Sequence, residues 1–167
     1  MKEIKITKGY VTQVSDEDYD ELKKYKWFAD VRPCTVYARR TKSINEENQK
    51  KIFIHRQILK VKLGEYTDHI DGNGLNNTRE NLRIVTSCQN NRNRKKIPGR
   101  SSKYKGVSFE KDRNKWRSII INNYQKIDLG RFDNEVDAAK AYNKAAIELF
   151  GEFARLNDLG LQINENV

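Results

Sequence analysis

One stretch, residues 67–94, constrains this chain of 167 residues more than any other. It reads TDHIDGNGLNNTRENLRIVTSCQNNRNR and begins with an acidic residue beside a histidine, Asp68-His69. A wide loop is predicted next, because Gly72 and Gly74 supply backbone freedom and the Asx side chains bond their own main chain. A second apolar run follows the loop. The stretch therefore predicts a short strand, a loop, a second strand and a helix.

The helix of this stretch has a start signal. Thr86 is followed three residues later by Gln89, which is the spacing of a capping box. Asn90 then lies in the first turns of the helix, where its side chain can point back at the Asp68-His69 strand. A carboxylate and an amide oxygen are hard ligands of the kind that Mg²⁺ takes, and a histidine is suited to accept a proton from water. These residue types indicate metal-assisted hydrolysis of a phosphodiester.

The pattern D-H-x-D-G-N-x-x-N-N, followed by N-L-R and T-x-x-Q-N-x-x-N, resembles the HNH family of nucleases, in particular the phage and bacterial homing endonucleases. The resemblance implies a ββα-metal fold for an N-terminal domain, residues 1–94. It implies that Asp68 and Asn90 are metal ligands and that His69 is the general base. It also implies that Asn81 holds the loop and the histidine in place. Mg²⁺ is the expected cofactor, and Mn²⁺ suits the same ligands.

Cysteine usage and hydropathy bear on zinc binding, on the cellular compartment and on membrane contact. Cys34 and Cys88 form no C-x-x-C pair, so we expect no structural zinc. Two distant cysteines without a secretory signal predict a reducing cytoplasm. The resemblance to phage and bacterial nucleases implies the cytoplasm of a bacterium or a phage-infected cell. No apolar run approaches the length that spans a membrane, so a membrane partner is not expected.

Residues 1–30 are predicted to be scaffold, with strands around a helix that Ser15 caps. Residues 31–66 are predicted to hold two more extended pieces, at 36–40 and 52–54, whose basic residues either touch phosphates or belong to a solvated hairpin. The run from His55 favours a short amphipathic helix that ends at Gly64. His55 lies among apolar residues, which favours a structural role over a catalytic one.

Positive charge is concentrated in residues 92–131, which carry thirteen Lys or Arg against three acidic residues, while the formal net charge of the whole chain is +10. Aromatic residues interleave with these cations, so the segment predicts a polyanion-binding surface, although a solubilising charged face is the alternative. The resemblance to DNA nucleases implies that the polyanion is double-stranded DNA. Within it, 95–103 reads as a basic linker. The candidate DNA-binding residues are Arg92, Arg94, Lys95, Lys96, Arg100, Lys103, Lys105, Arg113, Lys115, Arg117, Lys126 and Arg131.

Residues 104–157 predict a second domain, with 158–167 as a tail. The predicted elements are strands at 104–109, 115–121 and 125–132, a turn at Asn122-Asn123, and a helix from Glu135 to about Phe150 that Asn134 caps and Gly151 closes. These elements predict a small three-stranded sheet with one packed helix. The fold class of the whole chain is therefore α+β.

The strings Y-K-G-V, K-W-R, L-G-R-F and E-x-D-A-A-K-A-Y-N-K-A-A-I-E-L-F-G resemble the APETALA or ethylene-response type of DNA-binding domain. The resemblance implies that the sheet lies in the major groove, which is wide enough to admit it. Trp116 should face the helix, so alternation places Arg117 on the DNA side. Ser108, Ile121 and Asp128 stand where plant members place Arg or Trp, so the plant base preference is not carried over.

Together these features predict a site-specific DNA endonuclease of the homing type. A sequence-specific DNA-binding regulator with a catalytically silent HNH-like domain is the alternative, and a nonspecific or defence nuclease is a third. One active site per chain fits a monomer that nicks or a dimer that makes a double-strand break, and the monomer is favoured.

Overall fold

The computed structural model describes residues 1–45, 48–97, 99 and 101–160. The chain divides into two compact units, residues 1–93 and a second unit that begins at Arg94. Both contain small sheets and at least one helix, which confirms the predicted α+β class. None of the helices in the described ranges combines the length and the apolar character needed to cross a bilayer.

The first unit is built from short strands and short helices. Its strands are β1 (Lys2–Lys5), β2 (Val11–Val14), β3 (Phe28–Arg32), β4 (Thr35–Ser43), β5 (Gln49–Phe53), β6 (Tyr66–His69), β7 (Asn76–Asn77) and β8 (Leu82–Val85), and its helices are α1 (Asp16–Leu22), α2 (Ile54–Leu59) and α3 (Ser87–Asn93). The hydrogen-bonded orders are β1-β2-β7, β3-β4-β5 and β6-β8. Pairing is antiparallel except between β2 and β7, which run parallel.

The core of the first unit joins these sheets. Val14, Leu22 and Trp27 are each at most 2% exposed, and Leu82 of β8 belongs to the same apolar cluster. Trp27 donates its indole N–H to the Leu22 carbonyl at 2.8 Å, so its one polar atom is satisfied inside the core. Burying each large apolar side chain stabilises the fold by about 1.5–3 kcal/mol. The N-terminal elements therefore form one folding unit with β8.

The predicted helix after His55 is shorter than expected. It ends at Leu59, because Lys60 adopts a left-handed backbone conformation, with φ 48° and ψ 43°, that stops the helix well before Gly64. Ser15 precedes α1 as predicted, but its hydroxyl accepts a hydrogen bond from the Arg79 amide at 2.9 Å and makes no capping bond in the helix. A long-range contact with Arg79 therefore takes the Ser15 hydroxyl away from the helix end.

The second unit contains β9 (Val107–Glu110), β10 (Lys115–Asn122), β11 (Gln125–Phe132) and α4 (Glu135–Phe150), with the antiparallel order β11-β10-β9. The structure confirms β11, α4 and the Asn134 cap, whose side-chain oxygen accepts from the Asp137 amide at 2.8 Å. Ala138, Ala139 and Ala146 of α4 are fully buried, so small side chains let the helix approach the sheet closely.

Two boundaries in the second unit differ from the prediction. The first strand begins at Val107 because Gly106 has φ +78° and a side chain there would clash with the Tyr142 ring. The hairpin turn lies at Asn123-Tyr124, one residue later than predicted. Both turn residues have positive φ, as two-residue hairpin loops require, and Asn122 still pairs with Gln125.

Candidate active site

The site is assembled on the β6–β8 hairpin and the helix that follows it. In the antiparallel register, Asp68 lies opposite Arg83. Both bonds of the predicted capping box are present: the Thr86 amide donates to the Gln89 side chain at 2.8 Å, and the Gln89 amide donates to the Thr86 hydroxyl at 3.3 Å. Helix α3 therefore starts where the sequence predicts and packs against both strands.

Asp68 is buried, with 6% of its surface exposed, and it is held by two partners. Arg83 donates to carboxylate Oδ2 through Nε at 3.0 Å and through a terminal nitrogen at 2.9 Å. The Asn93 amide nitrogen lies 2.9 Å from Oδ1 and 3.0 Å from Oδ2. The carboxylate is therefore paired with a cation and fixed to α3, as a buried charge requires.

Asn93 is the α3 side chain that hydrogen-bonds the Asp68 carboxylate, and the sequence analysis did not single it out. Its amide nitrogen also donates to the His69 carbonyl at 2.9 Å, which ties the helix to the strand. Asn90 lies three residues earlier, so both asparagines share one face of the helix. The predicted ligand Asn90 is half-buried and lies one turn before Asn93, on the same side of the helix.

The imidazole of His69 is 6% exposed and contacts a side chain that the sequence analysis also missed. Its Nε2 lies 3.1 Å from Oδ1 of Asn77, the residue that ends the loop. Asn77 is fully buried and pairs with Val14 in the parallel β2–β7 ladder. The second asparagine of the Asn76-Asn77 pair was the sequence signal that could have identified it.

Aromatic rings surround His69. The His55 ring meets it edge-on at a centroid distance of 5.0 Å, and the Tyr37 ring lies at 5.7 Å. Burial lowers the pKa of His69 below its usual value, while the hydrogen bond with the Asn77 side chain and the charges of Asp71 and Asp68 act in the opposite direction. Burial also lowers the pKa of His55, to about 3. Both imidazoles are therefore neutral near pH 7, the form that can accept a proton.

Asn81 clamps the loop. Its side-chain oxygen accepts from the Asp71 amide at 3.0 Å, and its nitrogen donates to the Asp71 carboxylate at 3.0 Å and the Asn76 carbonyl at 2.8 Å. Its backbone carbonyl accepts from the Ile70 amide at 2.9 Å, directly after the histidine. Asn81 therefore fixes the loop, while the hydrogen-bond partner of the imidazole is Oδ1 of Asn77.

The two loop glycines have different roles. Gly72 has φ +70°, in the left-handed region that glycine tolerates. Gly74 allows close packing, because a Cβ there would lie 2.5 Å from the Val36 carbonyl oxygen and 2.6 Å from the Tyr37 ring. Since that ring also contacts His69, Gly74 lets the loop lie directly against the aromatic residues around the histidine.

The donor set fits a hard divalent cation held by few protein ligands. Within the described residues, no three side chains of the His, Cys, Asp and Glu types are placed to hold a metal ion. The Asp68 carboxylate and an asparagine amide carry oxygen atoms of the type that Mg²⁺ prefers, and Mg²⁺ commonly completes its shell with water and phosphate oxygens. Oδ1 of Asp68 accepts from the Asn93 amide at 2.9 Å, and a carboxylate oxygen has more than one accepting site.

The predicted DNA-binding residues lie in several elements. Arg92 is in α3, and Arg94, Lys95 and Lys96 follow it; Lys103 and Lys105 precede β9; Arg113 is in a short 3-10 turn; Lys115 and Arg117 are in β10; Lys126 and Arg131 are in β11. Arg100 falls outside the described residues. Burial and the charges of Arg155 and Arg94 lower the pKa of Lys105 to about 8, which marks a locally cationic environment.

The sheet of the second unit has a face turned away from α4. Trp116 packs with the α4 core as predicted, so alternation places Arg117 on the opposite face. Arg117 donates to Asp128 at 2.8 Å and to Glu110 at 3.1 Å, and Arg131 donates to Glu110 at 2.7 Å. The two guanidinium groups are thus held in place by two carboxylates.

Comparison with known proteins finds relatives over most of the chain. It is 34% identical over 154 residues to an uncharacterized HNH endonuclease of Acanthamoeba polyphaga mimivirus, and the match covers 91% of this chain and 77% of that protein. It is 34% identical over 97 residues to protein 3.8 of Escherichia phage T7, which covers 55% of this chain and 75% of the phage protein.

Shorter matches are with plant proteins. Over 58 residues the chain is 41% identical to APETALA2-like protein 2 of Oryza sativa subsp. indica, covering 35% of this chain and 13% of the rice protein. A match of similar length, 38% identical, covers 12% of the AP2-like ethylene-responsive transcription factor TOE2 of Arabidopsis thaliana. No family model matches the chain, and no solved structure does.

Proposed function

We propose that this chain, which belongs to the HNH endonuclease family, cuts double-stranded DNA by hydrolysing phosphodiester bonds. The observation that carries the proposal is the juxtaposition of Asp68 and His69 in β6 with the asparagine-bearing face of α3. A carboxylate, a buried neutral imidazole and amide groups in one place are the residue types that such hydrolysis uses.

His69 is the proposed general base. Its imidazole takes a proton from a water molecule, and the water oxygen attacks phosphorus on the side opposite the 3′ oxygen. The bond between phosphorus and the 3′ oxygen breaks, and that oxygen leaves. Neutrality near pH 7 supports this role, because a protonated imidazole could not accept the proton.

Asp68 and Asn90 are the proposed ligands of Mg²⁺, with Mn²⁺ as a substitute. When bound, the cation supplies neutralisation of charge on the phosphate and on the departing oxygen. Arg83 and Asn93 hold the Asp68 carboxylate in one orientation, which supports binding by limiting its movement. Asn81 supports the same geometry by clamping the loop.

The second unit is proposed to bind the DNA and make the cut site-specific, as in homing endonucleases. Arg117 and Arg131 lie on the sheet face opposite α4, and their contacts with Glu110 and Asp128 hold both side chains in defined positions. Lys105, in its cationic surroundings near Arg94 and Arg155, is suited to a backbone phosphate. Guanidinium groups fixed in this way are suited to base edges.

We place the reaction in the cytoplasm of a bacterium or a phage-infected cell, in line with the relative from phage T7. One Asp68-His69 pair per chain supports a monomer that nicks one strand, and a dimer would be needed to cut both strands at once.

The experiment compares wild type with His69→Ala on plasmid DNA, with Mg²⁺ and with EDTA. Wild type should nick or linearise the plasmid only with the metal, and the variant should cleave at least about a hundredfold more slowly while its gel shift is unchanged. The Asn90→Ala variant tests the metal site separately. Undiminished cutting by His69→Ala would exclude the mechanism.

A second candidate is a sequence-specific DNA-binding regulator, which the match to a protein named as a transcription factor favours. It predicts a gel shift at a preferred sequence and no metal-dependent cleavage by wild type. Cleavage mapping across a genome distinguishes a homing enzyme, which leaves one dominant site, from a nonspecific nuclease, which leaves scattered ends.

A further inference from the structure

A buried hydrogen-bonded chain leads from the N-terminal hairpin to His69. Thr12 of β2 and Asn77 of β7 are both fully buried. The Thr12 hydroxyl lies 2.8 Å from the Leu75 carbonyl oxygen and 2.8 Å from the Asn77 amide nitrogen. The Asn77 side chain in turn reaches the His69 imidazole. Residues 65 positions apart are thus linked by side chains inside the core.

The direction of each bond follows from two backbone carbonyls, which can only accept. The Thr12 hydroxyl gives its one hydrogen to Leu75, so its oxygen must accept from Asn77. The Asn77 nitrogen also lies 3.2 Å from the Gly74 carbonyl oxygen, which again requires a donor. The amide oxygen of Asn77 therefore faces His69.

An amide oxygen facing Nε2 has one chemical consequence. It can only accept, so Nε2 of His69 must carry a hydrogen for the contact at 3.1 Å to be a hydrogen bond. In the neutral ring the other nitrogen, Nδ1, then holds the lone pair. A fully buried amide left without partners would cost about 1–3 kcal/mol, so the network resists rearrangement.

We propose that Thr12 and Asn77 are positioning residues that hold His69 as the Nε2–H tautomer and so make Nδ1 its basic nitrogen. The catalytic part of this inference rests on the proposed role of His69, whereas the tautomer does not. The N-terminal hairpin, which the sequence analysis treated as scaffold, then controls the base through a residue that never touches the substrate.

The test uses the full chain and Thr12→Val, which keeps the shape of the side chain and removes the hydroxyl. Thr12→Ser restores the hydroxyl and serves as the rescue variant. Thr67→Val is the matched control, because the Thr67 hydroxyl is buried without a hydrogen-bond partner in the described part of the chain. Buried Trp27 reports folding in every variant.

Long-range ¹H–¹⁵N spectra of the neutral imidazole, assigned with His69→Gln, read the tautomer directly. Wild type, Thr12→Ser and Thr67→Val should show the Nε2–H form, and Thr12→Val should show a mixture. In cleavage assays, kcat of Thr12→Val should fall by roughly 10- to 100-fold with KM unchanged, the loss typical when a group orienting a functional histidine is removed.

Three results would overturn the proposal. They are an Nδ1–H form in wild type, an unchanged tautomer in folded Thr12→Val, and equal losses of kcat in Thr12→Val and Thr67→Val. If wild type cleaves no DNA, the proposed function fails, while the spectra still decide whether Thr12 and Asn77 set the tautomer.

Discussion

His55 should make the first unit sensitive to acid. Its ring is 8% exposed, stacks on Phe53 at 5.4 Å and meets His69 at 5.0 Å. Nδ1 is buried and has no hydrogen-bond partner among the described residues. Burial first, and then the charges of His69, Arg56 and Arg32, lower its pKa from 6.5 to about 3. Every contribution opposes the protonated form.

The direction and size of the change in unfolding free energy follow from linkage between proton binding and folding. Because the folded pKa lies below the unfolded value, the unfolded chain binds the proton first, and stability present above pH 6.5 is lost as the pH falls towards 3. Between about pH 7.5 and about pH 5, this one group should lower the free energy of unfolding by about 2 kcal/mol.

The assay compares the urea unfolding of the protein that retains His55 with that of the His55→Phe variant. The phenylalanine keeps a ring among Tyr37 and Phe53 and removes the titrating group. Both proteins carry Trp116→Phe, so that fluorescence of buried Trp27 reports urea unfolding of the first unit alone. Carboxylates and His69 contribute similarly to both proteins and largely cancel in the difference. Equal loss of stability between the two pH values in both proteins would refute the reasoning.

Two predictions concern the second unit. Gly106→Ala should lower the stability of this unit by about 3 kcal/mol, because an added Cβ would lie 2.1 Å from the Tyr142 ring. A thermal melt followed by Trp116 fluorescence measures the loss. An unchanged melting temperature would contradict the packing. Glu110→Gln should tighten DNA binding, because it removes one negative charge beside Arg117 and Arg131 on the sheet face proposed to meet DNA. Fluorescence anisotropy measures the affinity, and an unchanged or weaker affinity would count against contact between this face and DNA.

Features decided by neighbouring residues could be predicted from the sequence. The start of α3 depends on Thr86 and Gln89, and the start of α4 depends on Asn134, all within a few residues of the helix end. Strand β11 has its predicted bounds, although the turn before it lies one residue later than predicted. Asp68 and His69 were identified because they are adjacent in the motif.

Features decided by distant contacts could not be predicted. The role of Asn77 depends on Thr12, and Asn93 bonds Asp68 because α3 packs against β6 at a particular rotation. Gly74 gave no local sign that its small size, and not its backbone freedom, is what the loop requires. Each of these contacts needs the folded chain before its partners meet.

The parallel pairing of β2 with β7 limits how this protein can be rearranged in evolution or in the laboratory. The histidine motif takes its support from a hairpin near the start of the chain, so transplanting the motif alone into a new host would leave the imidazole without its anchor. The three strands and helix after Arg94, by contrast, draw their apolar contacts from one continuous stretch. Exchange of the second unit between related chains is therefore simpler than exchange of the histidine motif.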